Sequence, residues 1–196
     1  MSKDRLEAFS DGVFGIVLSL LVLELNPPNV ADHSSLSQYA SAMAPLVPKV
    51  VSFILTFVMI CIHWVSHHHF FSHLIRVTIA LVWLNNFFLL WMCLLIFPTA
   101  MLGDHVTDQF PILLYAVNSL LLAVTFYGFR SYASRAKLFK EGDSKALGPR
   151  QSIPAIALYV LSILFAFVNV YLSLVCFFIV PLLYFVPTMI QNHIQP

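Results

Sequence analysis

Five histidines in the first half of the chain are the residues best suited to binding a metal ion or moving a proton. His63 and His67 are four residues apart, as are His69 and His73, so each pair lies on one helical face. Such pairs can ligate a metal ion or a haem iron, and imidazole also titrates near neutral pH. The pattern therefore keeps open a membrane-embedded metal- or haem-binding oxidoreductase. With His68 between the pairs, a span end where imidazoles hydrogen-bond to neighbouring helices is the simpler interpretation, with no metal site.

Two carboxylates interrupt the first apolar run, Leu6–Leu25: Asp11 within it and Glu24 near its end. A charge inside a membrane span costs about 2.5–3.5 kcal/mol on insertion scales, so such groups face protein or water. We expect Asp11 to be a buried, paired carboxylate that fixes helix register rather than a direct ion ligand. Glu24 either raises the local cation concentration at the outer end of this span or simply reaches the membrane interface, and the sequence leaves both open.

The composition excludes an ordinary soluble enzyme and a nucleic-acid-binding protein. Hydrophobic residues make up 60% of the 196 residues and charged residues only 10%, whereas about a quarter of a typical soluble domain is charged. The chain has no nucleophile elbow, no phosphate-binding glycine loop and no pair of intramembrane carboxylates placed for acid–base chemistry. We therefore predict a membrane protein that is not an enzyme, with no catalytic residue and no cofactor.

The apolar runs predict an all-α protein of six membrane spans in a single domain, residues 1–196. Because a span needs about 20 apolar residues, the uncharged stretch Ile153–Ile190 is too long for one helix and must fold back. Asn169 and Ser173, around Val170–Leu172, are the best candidates for the turn. The predicted spans are residues 6–25, 46–65, 77–97, 110–129, 153–168 and 172–190, with Pro98 as the terminator of the third.

Lys and Arg residues predict the orientation of the spans. Nine of the ten basic residues lie at the amino terminus, between spans two and three, or between spans four and five, and only Lys49 lies on the other side. The positive-inside rule then places both termini in the cytoplasm. We expect a multi-pass membrane protein, surrounded by the lipid bilayer and without a nucleic-acid partner.

The start of the chain carries a specific motif, Arg5-x3-Phe9-Ser10-Asp11. It resembles the R-x3-F-S-D signature of the transmembrane protein 175 family, potassium channels of lysosomes and of bacterial plasma membranes. The likeness extends over essentially the whole chain. It implies a pore lined by the first helix rather than by a re-entrant loop. Because this chain holds one six-span repeat, the resemblance also implies a homotetramer.

The resemblance also assigns roles to residues along the first helix. The positions of the family's apolar constriction are occupied here by Ile16, Leu20 and Leu23, and Ser19 stands where the family commonly has a threonine linked to selectivity. Ser19 keeps the hydroxyl group and lacks the methyl group. The implied function is a leak-type channel that passes potassium and other monovalent cations. We expect moderate preference for potassium over sodium, weaker than that of a carbonyl filter, since no Thr-Val-Gly-Tyr-Gly run is present.

In the family the motif residues are structural and bond to polar groups of the second and third spans. The residues to which this role is carried over are Arg5, Phe9, Ser10 and Asp11 of the motif, with His63, Trp64, His67, Asn85 and Asn86 as expected partners. The sequence does not decide which of the two adjacent asparagines faces the motif.

Overall fold

Apolar helices dominate the computed structural model, which describes residues 2–31, 35–140 and 147–192, with side chains described as far as residue 184. The helices are α1 (Lys3–Leu21), α2 (Leu36–Met43), α3 (Val47–Ser72), α4 (Ile79–Leu94), α5 (Ile96–Asp104), α6 (Gln109–Arg135), α7 (Ile153–Ala166) and α8 (Val170–Asn192). Short 3₁₀ turns at Val22–Glu24, Ala44–Leu46 and Pro149–Ser152 extend α1 and precede α3 and α7. The prediction of an all-α protein is confirmed.

Five helical segments of the described chain are long and apolar enough to cross a membrane: Lys3–Glu24, Leu36–Ser72, Ile79–Asp104, Gln109–Arg135 and Pro149–Ala166. A shorter apolar helix, Val170–Tyr184, follows them. Helix α3 is longer than the predicted span 46–65, because its histidine-rich end stays helical as far as Ser72 and buries His63 and His67.

The third predicted span, 77–97, does not end at Pro98. Helix α4 ends at Leu94, and α5 continues from Ile96 to Asp104 with Pro98 in its first turn. Proline is compatible with a first helical turn, where its missing N–H group has no intrahelical partner. Pro98 therefore lies at the start of a helix instead of ending one.

The turn between the last two helices lies slightly earlier than predicted. It consists of residues 167–169, and Asn169 Oδ1 accepts a hydrogen bond from the backbone N–H of Tyr171 at 2.8 Å. This asparagine thus caps α8, as short polar side chains commonly do. Ser173 is not part of the turn, since it is buried within α8 and its hydroxyl lies 2.7 Å from that of Ser162 on α7.

At one end of the bundle the chain segments after α3 and α6 pair through their backbones. Leu74 and Phe139 form an antiparallel bridge, flanked by hydrogen bonds from Ile75 N to Leu138 O (2.9 Å) and from Lys140 N to His73 O (3.1 Å). We call this end, which carries Lys3, Arg76, Arg135, Lys137 and Lys140, the basic end. The opposite end, which carries Glu24, Lys49 and Asp104, is called the far end.

Candidate functional site

Helix α1 has two different faces. Its inner face is buried in the bundle and comprises Leu6, Ser10, Phe14, Val17 and Leu21. Its outer face is exposed and includes the predicted constriction residues Ile16, Leu20 and Leu23, together with Ser19. Both sets recur at three- and four-residue spacing, as two opposite stripes of one helix do. The helix is therefore held by one face and leaves the other without a partner in the described chain.

A buried asparagine joins three helices at the inner face of α1. Asn85 of α4, which is 0% exposed, donates from Nδ2 to Ser10 Oγ on α1 at 3.0 Å. Its Oδ1 lies 2.8 Å from Nε2 of His67 on α3, so that nitrogen carries the proton in this contact. Ser10 in turn donates to the backbone carbonyl of Leu6 at 2.9 Å. Of the two adjacent asparagines, Asn85 is therefore the one that faces the motif.

Two further side-chain contacts, one helical turn apart, link α1 to α3. Trp64 Nε1 donates to Asp11 Oδ1 at 2.9 Å, and His68 Nδ1 lies 3.1 Å from Glu7 Oε1. Glu7 and Asp11 are four residues apart on α1, as Trp64 and His68 are on α3. That matched spacing is the signal by which the Glu7–His68 contact, absent from our sequence prediction, could have been found. Asp11 is therefore paired, as predicted, by a side chain of the neighbouring helix, but it is half-buried rather than buried, because it lies between the inner and outer faces of α1.

Four predicted network residues make none of these hydrogen bonds. Arg5 and Phe9 are exposed on α1, and Asn86 is half-buried on α4. His63 is buried, but its ring packs edge-on to Phe88 at 6.0 Å, and within the described chain its Nε2 has no hydrogen-bond partner. The structure brings together Ser10, Asp11, Trp64, His67 and Asn85 of the predicted set.

The outer face of α1 is apolar with one hydroxyl. Ile16 is 60% exposed and Leu23 is 66% exposed, and about 10 Å separates them along the helix axis. Ser19 Oγ donates its proton to the carbonyl of Gly15 at 2.8 Å, so its oxygen can still accept a hydrogen bond or contact a cation. A methyl group added at Gly12 or Gly15 would meet nothing within 4 Å. This face is open to an approaching helix.

Charged residues surround the far end of α1. Glu24 lines a cavity of about 40 Å³ together with Lys49 and Asp104, and Lys49 Nζ forms an ion pair with Asp104 Oδ1. This pair was missed at the level of sequence, because its members lie on α3 and α5 and no spacing rule connects them. It partly neutralises the negative charge beside Glu24.

Comparison with known proteins supports a common family for this helix and its network. A family model described as "Endosomal/lysosomal potassium channel TMEM175" matches residues 5–95, which span α1 to α4. A protein of Chamaesiphon minutus named as a potassium channel is 32% identical over 88% of this chain and 89% of its own length. The chain belongs to the TMEM175 family. Other relatives agree with this assignment.

A potassium channel of Chryseobacterium sp. is 28% identical to this TMEM175 chain, over 95% of it and 94% of the relative. The crystal structure of a lysosomal potassium-selective channel TMEM175 homologue from Chamaesiphon minutus superposes with a TM-score of 0.82, at 28% identity, covering 93% of this chain and 95% of that one. These relatives are named as channels, and the fold is that of a channel protein.

Proposed function

We propose that this TMEM175 chain is a potassium channel that assembles as a homotetramer, with the exposed face of α1 lining the pore. The observation that carries the proposal is the split of α1 into a face locked in the bundle and an apolar face without a partner. Relatives that match this chain over most of their length are named as potassium channels, which supports potassium as the permeant ion. The preference over sodium, the tetramer and the leak-type behaviour rest on the family resemblance.

In this proposal, four copies of Ile16, Leu20 and Leu23 form an apolar neck about 10 Å long. An apolar constriction loses its water when it is narrow and conducts when it is slightly wider. An ion crossing such a neck sheds part of its hydration shell, and potassium holds its water less tightly than sodium. Because its proton is already donated to Gly15, the Ser19 oxygen would present lone pairs to the passing cation. Moderate selectivity for potassium follows.

The polar network has a supporting role in this proposal. Hydrogen bonds from Asn85 and Trp64 to Ser10 and Asp11 fix the rotation of α1 about its own axis. That rotation determines whether Ile16 faces the pore. Two motif residues of α1, Arg5 and Phe9, make no such bond and are exposed near the basic end. In the proposed tetramer a neighbouring subunit would pack against them.

We further propose that α8 is the sixth span and that the basic end faces the cytoplasm of a bacterium, with the protein in its inner membrane. Lys3, Arg76, Arg135 and Lys140 lie at that end, and Lys49 lies at the far end. This distribution follows the positive-inside rule. Both chain termini would then be cytoplasmic.

The test is reconstitution of the purified protein in a planar bilayer with potassium on one side and sodium on the other. We expect single-channel steps and a reversal potential displaced toward the potassium equilibrium potential. Ile16→Asn should hydrate the neck and reduce the preference for potassium, while the mass of the assembly, measured by native mass spectrometry, stays that of a tetramer. Silent bilayers with folded wild-type protein would refute the channel.

The matched control places the same substitution on another exposed isoleucine. Ile54 on α3 is 53% exposed, so Ile54→Asn introduces the same polarity away from the proposed pore. Its selectivity should equal that of the wild type. If both variants change selectivity alike, or if Ile16→Asn leaves it unchanged, then Ile16 does not line the narrowest part of the pathway.

The oxidoreductase alternative is not proposed. His67 faces Asn85, and His63 lies among phenylalanine rings. Within the described residues, no three His, Cys, Asp or Glu side chains are placed to hold a metal ion. The family assignment favours the channel.

A further inference from the structure

Two exposed cations meet at the backbone pairing of the basic end. Arg76 directly follows Ile75, and Lys137 directly precedes Leu138, while Ile75 N donates to Leu138 O at 2.9 Å. The two basic residues therefore flank one hydrogen bond on adjacent chain segments, and both side chains are exposed. Like charges held opposite each other on paired segments repel and are destabilising. The antiparallel register thus places two like charges on facing chain segments.

Two lysines among the described residues add to the positive charge at this pairing. Lys3 Nζ donates to the carbonyl of Leu74 at 3.4 Å, and Lys140 Nζ donates to the carbonyl of Ser72 at 3.2 Å. The ion pairs found among the described residues use other groups: Lys49 with Asp104, His68 with Glu7, and His105 with Asp108. Within the described chain, no carboxylate therefore balances these four cations.

Lys137 is held in an unusual backbone conformation that fixes its place in this cluster. Its φ angle is +51°, in the left-handed region that a lysine seldom adopts. The turn is closed by hydrogen bonds from Lys137 N to Ser134 O (3.2 Å) and from Leu138 N to Ala133 O (2.9 Å). Leu138 is buried beyond it. The position of Lys137 is therefore set by the end of α6 and not by a mobile loop.

Apolar side chains border the same cluster. Ile75 is 62% exposed and Ile79 is 80% exposed, and these residues precede and follow Arg76 at the start of α4. An exposed isoleucine beside an exposed arginine is the pattern of a membrane interface, where the apolar side chain contacts acyl chains and the cation reaches the headgroups. A soluble anion would gain nothing from the isoleucines, whereas a phospholipid would contact both.

We propose that Arg76 and Lys137 form a binding site for the phosphate of an anionic phospholipid, with Lys3 and Lys140 contributing to the field. The guanidinium group of Arg76 presents paired donors that match phosphate oxygens, and the ammonium group of Lys137 adds a second charge. Ile75 and Ile79 contact the acyl chains. The leaflet, the cytoplasmic one, follows from the orientation proposed above, but binding itself does not depend on channel activity.

The test uses the full-length assembly in neutral-detergent micelles, titrated with phosphatidylglycerol or with phosphatidylcholine and followed by native mass spectrometry. Wild-type protein should bind phosphatidylglycerol saturably and in preference to phosphatidylcholine. Arg76→Gln and Lys137→Asn should each weaken phosphatidylglycerol binding about fivefold, since a basic residue near an anionic surface contributes on the order of 1 kcal/mol. Asparagine is chosen at position 137 because it tolerates the left-handed backbone.

Arg150→Gln provides the matched control, because Arg150 is also exposed and lies in the 3₁₀ turn before α7, outside the two paired segments. It should bind phosphatidylglycerol as the wild type does. Equal weakening in all three variants would show a diffuse field and overturn the site. Displacement of phosphatidylglycerol by equimolar inorganic phosphate would also overturn it, in favour of a soluble anion. If the reconstituted protein conducts normally while either of these two results is found, the lipid site is refuted and the proposed channel function is not.

Discussion

The junction at Asn85 offers the sharpest test of how α1 is held. Asn85→Ala removes two buried hydrogen bonds, one to Ser10 on α1 and one to His67 on α3. Ser10 keeps its bond to the Leu6 carbonyl. His67 loses more, since its Nδ1 already has no partner in the described chain, and the substitution leaves Nε2 unpaired as well. Most of the lost stability should therefore come from the contact between α3 and α4.

The magnitude follows from these two bonds. Hydrogen bonds between membrane helices contribute about 0.6 kcal/mol on average and at most about 1.7 kcal/mol. Leaving a buried imidazole nitrogen unpaired costs about 1–3 kcal/mol. We expect Asn85→Ala to lower the free energy of unfolding by about 2–3 kcal/mol, and Ser10→Ala to lower it by about 1 kcal/mol.

The assay is reversible unfolding in mixed micelles of increasing denaturing-detergent fraction, at one protein concentration. A double-mutant cycle of Asn85→Ala with Ser10→Ala isolates the bond between them. Its coupling energy should be about 0.5–1.5 kcal/mol.

Asn86→Ala supplies the control for this experiment. Asn86 is half-buried, and it makes no hydrogen bond to another described residue. Its truncation should cost under about 0.5 kcal/mol, as surface substitutions usually do. A cost equal to that of Asn85→Ala, or a coupling energy of zero between Asn85 and Ser10, would contradict the assignment of Asn85 as the joining residue.

Two further predictions concern the far end of the bundle. Gly103→Ala should destabilise the fold by about 1–3 kcal/mol, because the added methyl group would lie 2.7 Å from Ser52 Oγ. The control is Gly128→Ala on α6, where an added methyl group meets nothing within 4 Å. This substitution should leave the unfolding free energy unchanged or raise it by up to about 1 kcal/mol. Lys49→Gln should increase current carried inward from the far end, because it leaves Asp104 unpaired. The increase in current should be large at low salt and vanish near 1 M salt, where the Debye length is about 3 Å. An increase in current that persists at high salt would exclude a charge effect. The same increase in Lys49→Arg, which keeps the positive charge, would also exclude it.

Much of the fold was accessible from the sequence because the bilayer imposes a simple rule. Continuous apolar runs predict helices, and the long apolar helices lie at these runs. The orientation expected from the charge distribution stays a prediction. The break between α4 and α5 at Leu95 was not predicted, because no glycine or proline marks that residue and Pro98 lies after it. Helix α3 was predicted too short, because its polar histidines resemble a span end although two of them are buried.

The candidate site was predictable in kind but not in its contacts. The motif pointed to Ser10 and Asp11, and a polar partner on another helix was expected for each. Asn85 and Asn86 differ by about 100° around α4, and only the packing of that helix decides which one faces α1. His63 satisfied the same spacing argument as His67, and both rings pack against phenylalanines. Only His67 also contacts Asn85, and the sequence alone does not show which histidine has a polar neighbour.

Helix α1 is attached unequally along its length, and this has a mechanical consequence. At the basic end, the backbone pairing ties the segments after α3 and α6 together, and Lys3 attaches α1 to the same place. At the far end α1 continues as a 3₁₀ turn at Val22–Glu24 without a side-chain cap. Widening of the proposed tetramer should therefore be greatest at the far end, with Leu23 moving farther from the pore axis than Ile16.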